Sequence, residues 1–255
     1  MEIKHVNFSY GKQQVIHDLS ISFPRGKITT LLGSNGCGKT TLFKLCTREL
    51  TTRRGLIKLD GKNIKDIKRK EFAKKVAIVH QQNRITGDIT VRELVSYGRN
   101  PYIGFMQRYT EEDYKEVDRA IALCELEEIS HKKVLSLSGG QLQRVWLALA
   151  IAQNTDILFL DEPTTYLDIK YQIEILKLVR KLNQELGTTI VMVLHDINQS
   201  LEYSDYIVGM YQGRIEFQGP PIDTIKEENI SKIYDTNLIV ETFKNRKIVL
   251  PKEAG

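Results

Sequence analysis

Two short stretches carry residues whose types and order suit chemistry on a phosphorylated ligand. Gly33-Ser34-Asn35-Gly36-Cys37-Gly38-Lys39-Thr40 has the spacing G-x-x-x-x-G-K-[ST], placed after a β-branched apolar run and before a helical pattern. Glycines there let successive backbone N–H groups turn inward, and the following helix adds its positive dipole end, making a cradle for a polyphosphate. Lys39 is then placed to reach the β- and γ-phosphates, and the Thr40 hydroxyl to ligate Mg2+. A Gly-rich turn is common by itself, and the strand–loop–helix setting is what makes this one specific. Ile157-Leu158-Phe159-Leu160-Asp161-Glu162-Pro163 is an apolar strand pattern ending in two adjacent carboxylates, at the edge where open α/β sheets bind ligands. Asp161 suits holding Mg2+ through its water shell, and Glu162 suits orienting and deprotonating an attacking water. Alone, such a pair is a common cap into the next helix; beside the phosphate cradle it reads as catalytic.

A third stretch, Leu137-Ser138-Gly139-Gly140-Gln141, precedes an apolar helical pattern from Leu142 to Ala152. Ser138 and Gln141 form a capping box, and the two glycines leave the helix start bare, which makes a second anion site. A single nucleotide needs only one such site, so the second points to a nucleotide held by another copy of the chain. Standing alone, the same residues would read as an ordinary capped helix.

The elements that position these stretches are legible from periodicity. Glu2 to Tyr10 and Val15 to Phe23 alternate as strands, and Ile28 to Leu32 is an apolar run expected of a strand covered on both faces. A helix is expected from Lys39 to about Glu49. Strand patterns recur at Gly55 to Leu59, Val76 to Val79, Ile157 to Leu160, Thr189 to Leu194 and Tyr206 to Met210. Helical patterns between several of them predict an α/β core with a mainly parallel sheet. From Ile85 to Gln153 the pattern turns to helices and loops, which predicts a helical subdomain inserted into a core made of residues 1–84 and 154–255. Thr110 and Asp113 cap one of its helices, with Tyr114, Val117, Ile121 and Cys124 expected on one buried face. After Gly213 come short alternating pieces, Arg214 to Gln218 and Ile239 to Leu250, around a polar helical stretch from Thr224 to Tyr234. No internal repeat is present, so a second copy of the three stretches is not expected.

Composition narrows the class. An apolar fraction of 41% supports a full core, and a net charge of +5 from 37 basic and 32 acidic residues is too mild for a dedicated nucleic-acid binder. Three unpaired-looking cysteines, Cys37, Cys46 and Cys124, argue for a reducing compartment rather than a disulfide or zinc framework. Neither a secretory signal nor a membrane span is visible, so any service to a membrane is expected through docking on other subunits. The basic segment Lys62 to Lys75 reads as a solvated face rather than a lipid-facing patch.

The order GSNGCGKT, LSGGQ, ILFLDEP and Val193-Leu194-His195-Asp196 resembles the ABC transporter ATPases, and the likeness runs from Val6 to Ile215. It implies a P-loop NTPase of RecA-like mainly parallel sheet, with an N-terminal antiparallel β subdomain and an inserted helical subdomain. It implies ATP and Mg2+ as cofactors, with Gly33, Ser34, Asn35, Gly36, Cys37, Gly38, Lys39, Thr40 and Thr41 on the nucleotide and Tyr10 stacked on adenine. Gln81 matches the glutamine that senses Mg2+ and the attacking water, although Gln82 follows it directly. Asp168 matches the residue that communicates across the dimer, with Tyr166 in a place where the family has a small residue or histidine. His195 matches the switch histidine that donates to the γ-phosphate.

The same likeness implies a head-to-tail, ATP-dependent homodimer, in which Ser138, Gly139, Gly140 and Gln141 of one copy complete the other's nucleotide site. It also implies two integral-membrane permease subunits, an extracellular or periplasmic substrate-binding protein acting indirectly, and a place on the cytoplasmic face of the cell membrane. The blocks Thr90 to Tyr102, LDEPTTYLD (Leu160 to Asp168) and VLHDINQ (Val193 to Gln199) are most similar to the ATPases of iron–siderophore, haem and cobalamin importers, siderophore uptake first among them. A soluble ABC ATPase without transport, and a nucleotide switch without hydrolysis, are the alternatives.

Overall fold

The computed structural model describes residues 1–83, 87–104, 106–244 and 246–252. The chain forms two compact units, Met1–Ile67 with Thr189–Gly255, and Lys68–Thr188. The subdomain boundary expected between residues 84 and 85 lies outside the described residues. In chain order the strands are β1 (Glu2–Tyr10), β2 (Gln13–Ser22), β3 (Ile28–Leu32), β4 (Arg54–Leu59), β5 (Lys62–Asn63), β6 (Val76–Val79), β7 (Ile157–Asp161), β8 (Thr189–Val193), β9 (Tyr206–Tyr211), β10 (Arg214–Gly219), β11 (Leu238–Phe243) and β12 (Arg246–Pro251). The helices are α1 (Lys39–Cys46), α2 (Arg69–Ala73), α3 (Val91–Ser96), α4 (Glu111–Leu123), α5 (Gly139–Ala152), α6 (Ile169–Leu186), α7 (Ile197–Tyr203), α8 (Pro221–Thr224) and α9 (Glu227–Tyr234).

In the first unit, β2, β1, β4 and β5 make an antiparallel sheet in that order. A register shift between Ile3 and Val6, with His5 at φ 49°, moves the alternation by one residue so that both Ile3 and Val6 are buried. A second group of strands has β3 parallel to β8 and to β9, with β10 antiparallel to β9. All five residues of β3 are buried, as a strand covered on both faces requires. Its last residue, Leu32, joins a cluster with Ile207, Phe217, Ile225, Ile230, Ile233 and Val249. Ile225, Ile230, Ile233 and Val249 therefore pack against the end of the strand that leads into the Gly33–Thr40 loop. Each aliphatic side chain so buried contributes about 1.5–3 kcal/mol.

Helix α1 ends at Cys46, short of the expected Glu49. Thr47 turns its hydroxyl onto the Phe43 carbonyl at 3.1 Å, and Arg48 takes φ 66°, so the chain leaves the helix there.

In the second unit, β6 and β7 pair in parallel, with Val79 opposite Leu160. Helices α3 and α4 pack against α5, and each of the three starts with a complete capping box: Thr90 with Glu93, Thr110 with Asp113, and Ser138 with Gln141. From 87 to 153 the described residues form no strand beyond one isolated bridge, Thr90 with Lys133. On α4, Val117, Ile121 and Cys124 are buried as expected, but Tyr114 is 47% exposed. Asp113 takes the inward place, because its carboxylate serves both the cap and the Arg99 guanidinium, 2.9 Å away. Arg99 also donates to the Ala152 carbonyl at the end of α5 (2.8 Å) and lies 3.9 Å from the centre of the Tyr102 ring. This knot of the buried Arg99 and Asp113 with the half-buried Tyr102 ties three elements of the unit together.

In the basic segment from Lys62 to Lys75, five of the seven basic residues are exposed, as a solvated face requires, and some of these side chains also bond within the protein. Lys65 donates to the Thr52 carbonyl, Lys70 to the Ile103 carbonyl at 2.6 Å, and Lys74 pairs with Glu71 at 3.1 Å. No helix among the described residues is long and apolar enough to cross a membrane.

Candidate active site

The loop between β3 and α1 is shaped by glycines whose substitution the fold forbids. Gly33 has φ 142°, and a Cβ there would stand 2.3 Å from the Met210 carbonyl oxygen. Gly38, the N-cap of α1, has φ 108°, and its Cβ would meet Ile16 Cδ1 at 2.9 Å. Because Gly38 has no side chain and the first turn has no acidic residue, the helix start is uncapped, and its N–H groups and dipole are left for an anion. Lys39 is 5% exposed and folds back along the loop, donating to the carbonyls of Gly33 at 2.6 Å and Ser34 at 3.0 Å. Burial pushes the Cys37 thiol up, against the opposing pull of Lys39. Asn35, Gly36 and Thr40 are exposed, and Thr41 is buried.

Two long-range bonds hold this loop, and sequence reasoning missed both. The Gly213 amide donates to the Cys37 carbonyl at 2.9 Å, and the Ser34 amide donates to the Ile233 carbonyl at 3.0 Å. The turn glycine Gly213, at φ 74°, carries a sequence signal; a backbone carbonyl at the end of a polar helix carries none. Tyr10 closes β1, 47% exposed, with its ring and that of Phe8 in a T-shaped pair at 4.9 Å. His195 lies exposed just past β8, and the Asp196 carboxylate beside it caps α7 through the Gln199 amide at 2.8 Å.

The second unit brings the catalytic-type side chains together by register. Since Val79 of β6 lies opposite Leu160 of β7, residues two places further on, Gln81 and Glu162, leave the same edge at the same level. Gln81 Nε2 donates to Glu162 Oε2 at 2.6 Å, and the Thr165 hydroxyl donates to the same oxygen at 3.0 Å. Glu162 sits at φ 51°, a conformation that non-glycine residues adopt at a cost of about 1–2 kcal/mol. Thr165 is the participant that sequence reasoning passed over, although it stands within the LDEPTTYLD block. Asp161, at the end of β7, is half-buried.

Ser138 and Gln141 spend side-chain atoms on each other at the start of α5. Ser138 Oγ accepts from the Gln141 amide at 3.3 Å, and Gln141 Oε1 accepts from the Ser138 amide at 3.1 Å. The serine proton is not used in that box and can be donated outward. Gly139 is exposed, while a Cβ on Gly140 would lie 2.6 Å from Tyr171 Cδ1, so the ring enforces the glycine. Asp168 caps α6 through the Tyr171 amide at 3.1 Å, and Tyr166 before it is 81% exposed at φ 65°.

The family profile described as ABC transporter matches residues 16–165. The chain is 43% identical over 248 residues to the petrobactin import ATP-binding protein YclP of Bacillus subtilis (strain 168), covering 97% of this chain and 98% of that one. It is 38% identical over 252 residues to the iron(3+)-hydroxamate import ATP-binding protein FhuC of the same organism, covering 98% and 94%. Among solved structures, the dimeric post-hydrolysis state of the ATP-binding cassette MJ0796, bound to ADP and Pi, superposes with a TM-score of 0.72 at 28% identity, covering 86% of this chain and 98% of that one. The chain belongs to the ABC transporter family, and it is an ATPase with the P-loop NTPase fold. Within that family its near-full-length relatives include several siderophore import ATP-binding proteins.

Proposed function

We propose that the chain is the ATP-hydrolysing subunit of an importer for ferric siderophores, seated on the cytoplasmic face of the membrane against two permease subunits that an external substrate-binding protein supplies. The observation that carries the catalytic part is Glu162, held through one carboxylate oxygen by Gln81 and Thr165 at the end of β7. Glu162 is the base that takes a proton from the attacking water. The names of the near-full-length relatives support the cargo.

In this reading the amides of Gly33 to Thr41 wrap the phosphates, Lys39 neutralises the β- and γ-oxygens, and Tyr10 stacks on adenine. Thr40, Gln81 and Asp161 are hard oxygen donors of the kind Mg2+ accepts alongside phosphates and waters. Gln81 gives its N–H to Glu162, which leaves its amide oxygen for the ion. The bound ion supplies charge neutralisation across the phosphates. His195 donates to the γ-phosphate. Ser138 to Gln141 present the Ser138 hydroxyl and bare amides to the nucleotide of a head-to-tail twin, with Asp168 at the contact. Residues 85–153 form the subdomain that, beside Gln81, receives a short cytoplasmic helix from each permease. Loss of the γ-phosphate then opens the dimer and moves the permeases.

Glu162→Gln tests the base: ATP turnover should fall about 100-fold or more while ATP binding persists, and turnover at the unsubstituted rate would remove Glu162 from this role. The cargo is tested by deleting the gene and following uptake of ferric siderophore, haem and cobalamin. Loss of siderophore uptake alone is expected, whereas loss confined to haem or cobalamin would reassign the transporter.

A further inference from the structure

The Tyr234 hydroxyl is the feature that the mechanism above leaves unused. Its oxygen is shielded from solvent, and among the described residues its proton has no acceptor. Burial pushes the phenol up to about 12, with the Gly33 backbone amide the strongest opposing influence and the charges of Cys37 and Asp196 adding smaller upward pushes. The ring is packed on the Leu32, Ile233 and Val249 cluster, and the preceding carbonyl, Ile233, holds the Ser34 amide at 3.0 Å. The phenol therefore lies at the very start of the phosphate loop, as part of a tightly fixed turn.

A buried hydroxyl with no acceptor is costly, and folded proteins rarely keep one without a state in which it is used. Gly33 offers it an amide, which is itself a donor and cannot take the phenolic proton. The acceptors of that stretch, the Gly33 and Ser34 carbonyls, are both held by the Lys39 ammonium, at 2.6 and 3.0 Å. A triphosphate draws that ammonium away, and the two carbonyls then lose their donor just as the loop must keep its shape.

We propose that Tyr234 is a positioning residue that takes over as hydrogen-bond donor at the start of the phosphate loop when Lys39 leaves its carbonyls for the nucleotide. The residue touches no reacting atom. It acts on the loop, so its effect falls on nucleotide affinity rather than on the chemical step. The inference rests on the reading of Gly33 to Thr41 as the nucleotide cradle.

The test compares Tyr234→Phe with the unsubstituted protein, alone and in a Lys39→Ala background, by thermal melting without nucleotide and by titration with ATP and ADP. In the protein that keeps Lys39, removing the idle hydroxyl should raise the nucleotide-free melting temperature by about 2–4 °C and weaken ATP and ADP binding about five- to tenfold. KM should rise with kcat held. In the Lys39→Ala background the carbonyls are already vacated and the hydroxyl is already engaged. There, the same substitution should lower the melting temperature. A ring that only packs gives the same sign in both backgrounds and an unchanged affinity, and either result overturns the proposal. If the unsubstituted protein fails to bind ATP, the cradle reading itself falls; if it binds and Tyr234→Phe binds equally well, only this inference falls.

Discussion

The two helix starts proposed to hold phosphate are built in opposite ways. Helix α1 begins at a glycine with φ 108° and has no side-chain cap and no acidic first turn, so no side chain takes up its first amides, and the buried Lys39 lies at its start. Helix α5 begins at a serine and closes its own capping box with Gln141, so it is satisfied without any ligand. In the proposed function a nucleotide completes the first start. The second is stable alone and can offer a nucleotide only what its box does not use, the serine proton and the glycine amides. This difference suits a primary binding site on one hand and, on the other, a surface that must persist unoccupied until a twin arrives.

The comparison breaks first at Lys39. Lys39→Ala should weaken ATP binding by about 100-fold or more, because a charge-assisted contact to two phosphates is lost; titration with ATP measures it, and a loss under threefold would mean that the loop amides suffice. Next is the pair of caps, read by denaturant unfolding. Gly38→Ala forces a Cβ at φ 108° against Ile16, 2.9 Å away, and should cost about 1–3 kcal/mol. Ser138→Ala should cost about 1 kcal/mol through loss of the box and should also weaken ATP-driven dimerisation. If the serine variant proved as stable as the parent, α5 would not be self-satisfied and the contrast would fail.

The smallest effect concerns the related box on α4. There burial of Asp113 pushes its carboxyl up, but hydrogen bonds from Thr110 and the Arg99 pair outweigh it and leave the carboxyl below its ordinary range. A carboxyl depressed in the folded state adds stability at neutral pH that is lost as pH falls below about 4. Asp113→Asn should therefore lower the melting temperature at pH 7 and flatten its decline in acid.

The three chemical stretches and the strands beside them were legible because each is a local pattern: a glycine spacing, a covered apolar run, a serine three residues before a glutamine. The parallel strands β6 and β7 came from the same kind of signal, although the register that places Gln81 against Glu162 did not. What the sequence hid is long-range or polar. Nothing in the stripe of α4 announces that Asp113 rather than Tyr114 faces inward, since the reason is Arg99, fourteen residues earlier. Nor does any pattern tell that α1 stops at Cys46, where a threonine hydroxyl returns to the helix and the next residue turns left-handed. The Ile233 carbonyl and the Tyr234 phenol are invisible for the same reason: the loop they serve lies near the opposite end of the chain.

That last bond, from Ser34 to Ile233, carries a consequence for how the protein is made. The loop is synthesised well before the carbonyl that anchors it. A nascent chain thus carries its glycine-rich loop, lysine included, without the brace that fixes it until Ile233 has been made. A product cut short before α9 would lack that brace.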